Sequence, residues 1–230
     1  MDIRTHLTEK EVNSLIVAAP TLRDKVVIQF LFRTGCRVSE LCSIDINDVD
    51  LNEGLVLIHH LKRVPRIVCP DCGHKTGCKS QYCPGCGVSL ENANRVEVER
   101  NRQRIIPLDK KTCNMIKTYL EKRQVDSNLM MPLSRQRIDG VIKAAVQQAG
   151  LDNIVLRHPE SGKRHKVSAH KLRDAFTIRA LSLNNTVEAQ IHIQQQLGHK
   201  SFATTVRYAK FGLDDNRKWY DDLWEDKGAK

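Results

Sequence analysis

The sequence contains no apolar run approaching the roughly 20 residues that a membrane-spanning helix needs. Residues 1–20 also lack the basic stretch followed by an apolar one that directs secretion. These absences speak against integral-membrane and secreted classes and predict a soluble, cytoplasmic protein. No internal repeat and no low-complexity tract is found, so repeat architectures are not expected. Acidic residues are in the minority: 27 Asp and Glu face 37 Lys and Arg, a net charge of +10 over 230 residues. That surplus favours a polyanionic partner, nucleic acid above all. Charge alone does not separate such a protein from a ribosome-associated or merely soluble basic one. The length suffices for one large domain, or for one domain with a small accessory module.

Cysteine is present and unevenly placed. Five of the eight cysteines fall in CPDCGHKTGCKSQYCPGCG (69–87), four of them paired as Cys69-x-x-Cys72, ten intervening residues, then Cys83-x-x-Cys86. In a reducing compartment paired CxxC elements predict a tetrahedral thiolate site for Zn2+. Each pair sits on a tight turn whose Gly and Pro let backbone amides point at the sulfurs. A disulfide reading needs a secreted chain. Four thiolates leave no open coordination position, so the expected zinc is structural and no catalytic metal is expected. His74 and Cys78 lie inside the loop as substitute ligands, and the CPxCG knuckles on both sides favour the outer four. Cys113, which shares an apolar helical face with Ile116 and Leu120, is expected in the core, as are Cys36 and Cys42.

Thr8-x-x-Glu11 forms a capping box, with Leu7 and Val12 placed as a hydrophobic staple, so a first helix is predicted from residue 9. TLRDKVVIQFLFRTG (21–35) has Thr21 as cap and Gly35 as stop, and the short helical stretch VSELCSI follows. LVLIHHLK (55–62) and RVEVERNRQRIIPL (95–108) are predicted strands that flank the cysteine module. This arrangement predicts a hairpin with a zinc ribbon, residues 67–94, inserted at its turn into a main domain of residues 1–66 and 95–230. After Pro107 helices are predicted almost to the end, including one opened by Ser168, one closed by Gly198, one near 203 and a tail at 213–227. The basic segment 160–167 is expected to be a loop or small hairpin. The fold class expected is thus mainly α with a small antiparallel β-sheet (α+β).

His170 and Arg173 are three apart on the helix from Ser168 and project from one face. His199 stands just beyond Gly198, and Tyr208 follows nine residues later. Two arginines, if the fold brings Arg37 near, offer permanently charged bidentate donors to a phosphate and stabilise charge building in a pentacoordinate transition state. Histidine can donate a hydrogen bond or move a proton, and a tyrosine hydroxyl can attack phosphorus. With a free pKa of about 10, that hydroxyl needs a cationic pocket to be competent. Taken singly, each residue fits an ordinary role: a histidine near a helix end caps it, and a tyrosine on a helix packs. The joint pattern, with Gly35-Cys36-Arg37-Val38-Ser39-Glu40-Leu41, is what points to a site.

These segments resemble the tyrosine recombinase family, also called phage integrases. TGCRVSEL (34–41) is similar to its first arginine box, HKLR (170–173) to its His-x-x-Arg box, and LGHKSFATTVRY (197–208) to its LGH-to-tyrosine box. Residues 129–151 are similar to its connecting helix. The resemblance implies that Arg37 and Arg173 bind the scissile phosphate and that His170 serves general acid/base chemistry. It further implies that His199 supports the phosphate, that Tyr208 forms a 3′-phosphotyrosine, and that Glu40 orients the arginine. Lys62 is the match for the family's general-acid lysine, at the turn where the zinc module interrupts the pattern. Asp174 stands where many members have another histidine.

The first arginine box begins at residue 34, so the helical DNA-clamping domain that usually precedes the catalytic domain is expected to be missing, whether from a fragment or from a naturally minimal protein. The implied partners are double-stranded DNA and, for strand exchange, a synapse of four protomers, with a nucleoid-associated location. The tail with Trp219, Tyr220 and Trp224 suits docking on a neighbour and intramolecular packing equally well. Two other functions are kept open: a non-enzymatic architectural DNA binder of the same fold, and a type IB topoisomerase-like relaxation activity. The product separates them: recombinants, topoisomers, or a shifted band alone.

Overall fold

Residues 4–157, 161–198, 201 and 204–205 are described in a computed structural model of the chain, with backbone alone at 60–65 and 97–102. The chain divides into two units, Met1–Ile58 with Arg104–Lys230, and His59–Gln103.

In the first unit helix starts follow local chemistry. Helix α1 (Glu9–Ala18) opens with the full capping box of Thr8 and Glu11, and Leu7 and Val12 are both buried. Helix α2 (Leu22–Thr34) starts where the Thr21 hydroxyl accepts the Asp24 N–H at 3.2 Å. Every residue from Val26 to Phe32 is buried. Such all-round burial marks a helix enclosed by others, and α2 packs against α1 and against helices α4 (Lys110–Lys122), α5 (Arg135–Gln148) and α6 (Ala169–Leu183). It ends on Gly35 at φ 63°, whose added Cβ would lie 2.6 Å from Phe176 Cδ1 and 2.7 Å from Leu197 Cδ2. Only glycine satisfies both the left-handed backbone and that close approach.

Helix α3 (Val38–Leu41) follows directly, then a single 3-10 turn at Ile46–Asp48. Strand β1 (Val49–Asp50) pairs antiparallel with the start of β2 (Leu55–Val68), and β4 (Arg95–Pro107) pairs with β2 as well. The inward positions are apolar: Val56, Ile58 and Ile106 are fully buried. Beyond β4, Asp109 caps α4 by accepting the Thr112 N–H at 3.1 Å. Ser134 caps α5, and a two-residue ladder of β5 (Leu156–Arg157) and β6 (Arg164–His165) precedes α6. Helix α7 (Val187–Leu197) closes on Gly198 at φ 64°. Among the described residues these seven α-helices and small antiparallel sheets form the expected α+β fold. None of these helices is long and apolar enough to cross a membrane.

Two local expectations are corrected. Ser168 stands at the N-cap of α6, but its side chain makes no capping bond, and only its carbonyl takes part, accepting the Leu172 N–H at 3.1 Å. The strand predicted over 55–62 runs on to Val68, because residues 66–68 find a partner in β3 (Lys75–Gly77) through the pairs Arg66↔Gly77, Ile67↔Thr76 and Val68↔Lys75. Of the helix predicted near 203 only Thr204 and Thr205 are described, both helical, and the helix predicted over 213–227 lies outside the described residues.

The second unit has its own small core of Ile67, Cys69, Cys83 and Leu90, with Cys78, Val88 and Ala93 packed against it. Two turns of matching design frame it. Gly73 donates to the Cys69 carbonyl at 3.0 Å and Gly87 to the Cys83 carbonyl at 2.9 Å. In parallel, Cys69 N–H bonds to the His74 carbonyl and Cys83 N–H to the Val88 carbonyl.

Candidate active site and metal centre

The first arginine motif folds as it does because α2 must stop and α3 must start within three residues. Gly35 ends α2, Arg37 takes the N-cap of α3, and Glu40 reaches back so that its Oε2 accepts the Arg37 backbone N–H at 2.8 Å. The Glu40 side chain is 2% exposed and that of Arg37 is 39% exposed, with Arg37 Nη1 donating to Glu40 Oε1 at 3.0 Å. A second guanidinium, that of Arg104 on β4, donates through Nη1 to Oε1 at 3.1 Å and through Nη2 to Oε2 at 2.7 Å. Burial pushes the Glu40 carboxyl up; the hydrogen bonds and charge of Arg104, then the amide and charge of Arg37, outweigh it and hold the group at about 2. Cys36, between Gly35 and Arg37, is pushed by its complete burial up to about 12 and stays a neutral core thiol.

Arg173 comes from the first turns of α6 and is buried. Its Nη1 donates to the Gly35 carbonyl at 2.6 Å and its Nη2 to the Leu197 carbonyl at 2.8 Å. The ends of α2 and α7 are thus tied to one guanidinium, and orphan carbonyls at both helix ends gain a charged donor. One turn earlier, His170 is 71% exposed, with Nε2 3.7 Å from Asp174 Oδ1, while Asp174 Oδ2 accepts from the buried Lys171 Nζ at 2.9 Å. Asp174 therefore lies between a solvent-facing imidazole and a buried ammonium.

Of the six residues expected at the site, Arg37, His170 and Arg173 have described side chains. Arg37 and Arg173 converge on the Gly35–Arg37 turn, one through its backbone and the other through the Gly35 carbonyl. Lys62 lies on β2 with backbone alone described, and His199 and Tyr208 lie outside the described residues. Sequence reasoning missed Arg104. The signal was present: Arg104 and Ile106 are two apart on one strand and share a face, so a fully buried Ile106 demands a buried partner for the arginine.

In the second unit the Sγ atoms of Cys69, Cys72, Cys83 and Cys86 all lie within 4.8 Å of one another. Cys69 and Cys86 sulfurs are 3.4 Å apart, Cys72 and Cys83 sulfurs 3.5 Å, and the Gly85 N–H points at Cys83 Sγ at 3.4 Å. A tetrahedral thiolate site with metal–sulfur bonds of about 2.3 Å has edges of about 3.8 Å. The donor set therefore fits a single metal ion. Cys78 packs in the small core instead of joining the cluster.

A mainly helical α+β domain that gathers a buried carboxylate, two guanidiniums on it and a third on two helix ends is a scaffold built around concentrated positive charge. The chain belongs to the phage integrase family, whose model matches residues 5–70 and 90–212. The unmatched interval, 71–89, holds three of the four clustered cysteines. The chain is 26% identical over 223 residues to the tyrosine recombinase XerA of Thermococcus kodakarensis, covering 92% of this chain and 60% of that one. It is likewise 26% identical over 219 residues to the tyrosine recombinase XerC of Bacillus subtilis, covering 93% and 59%. It thus spans about 60% of the length of these relatives. The fold is shared with a crystal structure of XerA recombinase, at TM-score 0.64, 22% identity and coverage of 97% and 65%. It is shared too with the Tn1549 transposon integrase in complex with transposon right end DNA, at TM-score 0.62, 17% identity and coverage of 97% and 67%.

Proposed function

We propose that this chain is a site-specific DNA recombinase that cleaves and rejoins strands through a covalent 3′-phosphotyrosine at Tyr208. One observation carries the reading above all: Arg173 binds the carbonyl of Gly35, two residues from Arg37, so two sequence motifs far apart in the chain supply guanidiniums to one region. There the two arginines bind the non-bridging oxygens of a scissile phosphate. The Tyr208 oxygen attacks phosphorus as its proton passes to His170, the bond to the 5′ oxygen breaks, and the departing 5′ oxygen takes a proton from Lys62 and leaves as a hydroxyl. His170 serves proton transfer, His199 supports the phosphate, and attack by another 5′ hydroxyl reverses the sequence and frees the tyrosine. The net charge of +10 suits duplex DNA as partner, and strand exchange calls for four protomers around two duplexes. Relatives named as tyrosine recombinases support the same reading.

The division of labour follows. Residues 1–66 and 95–230 carry the DNA chemistry, and the inserted module, 67–94, holds Zn2+ on Cys69, Cys72, Cys83 and Cys86 in a structural role. A protein with this function works at the nucleoid of the cytoplasm.

The test is covalent capture. A pool of nicked duplexes of randomised sequence is incubated with wild type or Tyr208→Phe in magnesium-free buffer, denatured, and the protein-linked DNA sequenced. Adducts from the wild type alone, converging on one sequence, are expected. Binding without any adduct would turn the reading to an architectural protein of the same fold.

A further inference from the structure

We infer that Arg104 is a positioning residue that locks the carboxylate aiming Arg37 and ties it to the chain segment just before His199. This rests on the proposed phosphate-binding role of Arg37. Nothing in the motif resemblance points to Arg104, and its own contacts assign it. Among the described residues the Glu40 carboxylate takes N–H bonds from the Arg37 backbone, Arg37 Nη1, and Nη1 and Nη2 of Arg104. Arg104 supplies the bidentate half, which fixes the plane of the carboxylate and so the direction in which Arg37 leaves the N-cap of α3.

The charge balance points the same way. Glu40 alone beside Arg37 would neutralise it. With Arg104 also on Glu40, the trio keeps one net positive charge, and Arg37, the more exposed of the two arginines, presents it to an anion. The third nitrogen of Arg104 makes the link to α7: Nε donates to the Gln196 carbonyl at 2.7 Å. A Cβ added at Gly198 would stand 3.2 Å from Arg104 Nη1, so the helix end closes directly over the guanidinium. Arg104 and Arg173 therefore hold adjacent carbonyls, Gln196 and Leu197, from two sides.

The experiment uses the full chain and a nicked duplex recovered from the random pool. Arg104→Met is expected to slow adduct formation about 10- to 100-fold, the usual consequence of a misplaced catalytic group. Duplex affinity should stay within about threefold, because the Arg104 side chain is only 12% exposed and its donors are engaged by Glu40 and Gln196. Arg104→Lys, which keeps the charge without the fork, should recover part of the loss and serves if the Met variant fails to fold. In a Glu40→Gln background Arg104→Met should add little, since both act through one group. A wild-type rate in Arg104→Met, multiplicative losses in the double variant, or a loss matching the unfolded fraction would overturn the assignment. If the wild type forms no adduct, the recombinase reading fails instead. Exchange of the Arg37 side-chain N–H with water, followed by NMR, then decides the matter alone: faster exchange in Arg104→Met supports positioning, and unchanged exchange refutes it.

Discussion

The guanidinium of Arg173 bridges the Gly35 carbonyl and the Leu197 carbonyl, at 2.6 Å and 2.8 Å, from inside the domain. A residue with a proposed role in phosphate binding is thereby also a fastener of two helix ends. Arg173→Met should leave both carbonyls buried without donors and cost on the order of 2–5 kcal/mol, since each orphaned group costs about 1–3 kcal/mol. Urea denaturation of the variant against wild type checks this. A midpoint unchanged from wild type would mean that water or neighbours replace the arginine.

Gly35→Ala should destabilise the fold by at least about 1–2 kcal/mol from the left-handed backbone alone. Repacking of Phe176 and Leu197 around the new methyl group adds to this, since both lie under 3.0 Å from its position. A thermal melt several degrees below wild type is the expected readout, with Gly150→Ala as a control: it has a similar φ of 66° and open space.

Acid should weaken the domain through Glu40. Its folded value of about 2 lies below the ordinary glutamate value of 4.5, so the folded state binds the proton less readily than the unfolded one. The stability it contributes is fully present above pH 4.5 and is lost as pH falls toward 2. The amount is on the order of 3 kcal/mol. Stability measured from pH 6 to pH 2 should therefore fall less steeply in Glu40→Gln than in wild type, although the variant starts lower.

Removing metal should unfold the module. A core of Ile67, Cys69, Cys83 and Leu90 is too small to persist alone, as units below about 40 residues usually need a metal or disulfides. One zinc per chain is expected by elemental analysis. Stripping it, or substituting Cys83→Ser, should open residues 69–87 to limited proteolysis. Equal protease resistance with and without metal would refute the zinc assignment.

Local chemistry made much of this structure legible in advance. Thr8 with Glu11, Thr21 with Gly35, and Gly198 each act within a few residues, so spacing alone located α1, α2 and the end of α7. The cysteine cluster was legible for the same reason, because a CxxC turn is a local geometry. Expectations that depended on distant partners fared differently. Ser168 had the right chemistry for a cap, yet its hydroxyl makes no capping bond. The extension of β2 was hidden because β3, its partner, is three residues long and carries no strand signature. Arg104 was harder to read because its partners, Glu40 and Gln196, lie 64 and 92 residues away, and its one local mark is the strand face it shares with the apolar Ile106.

The Val68 N–H bonds to the Asn94 carbonyl at 3.1 Å, so the chain departs for the cysteine knuckles and comes back at neighbouring points on paired strands. Such a stem makes the intervening stretch a cassette. Gene rearrangement can exchange, shorten or erase it while the strands on either side keep their register, and a two-residue turn could close the gap. The appendage can therefore change length or content without altering the pairing of the strands that lead into it.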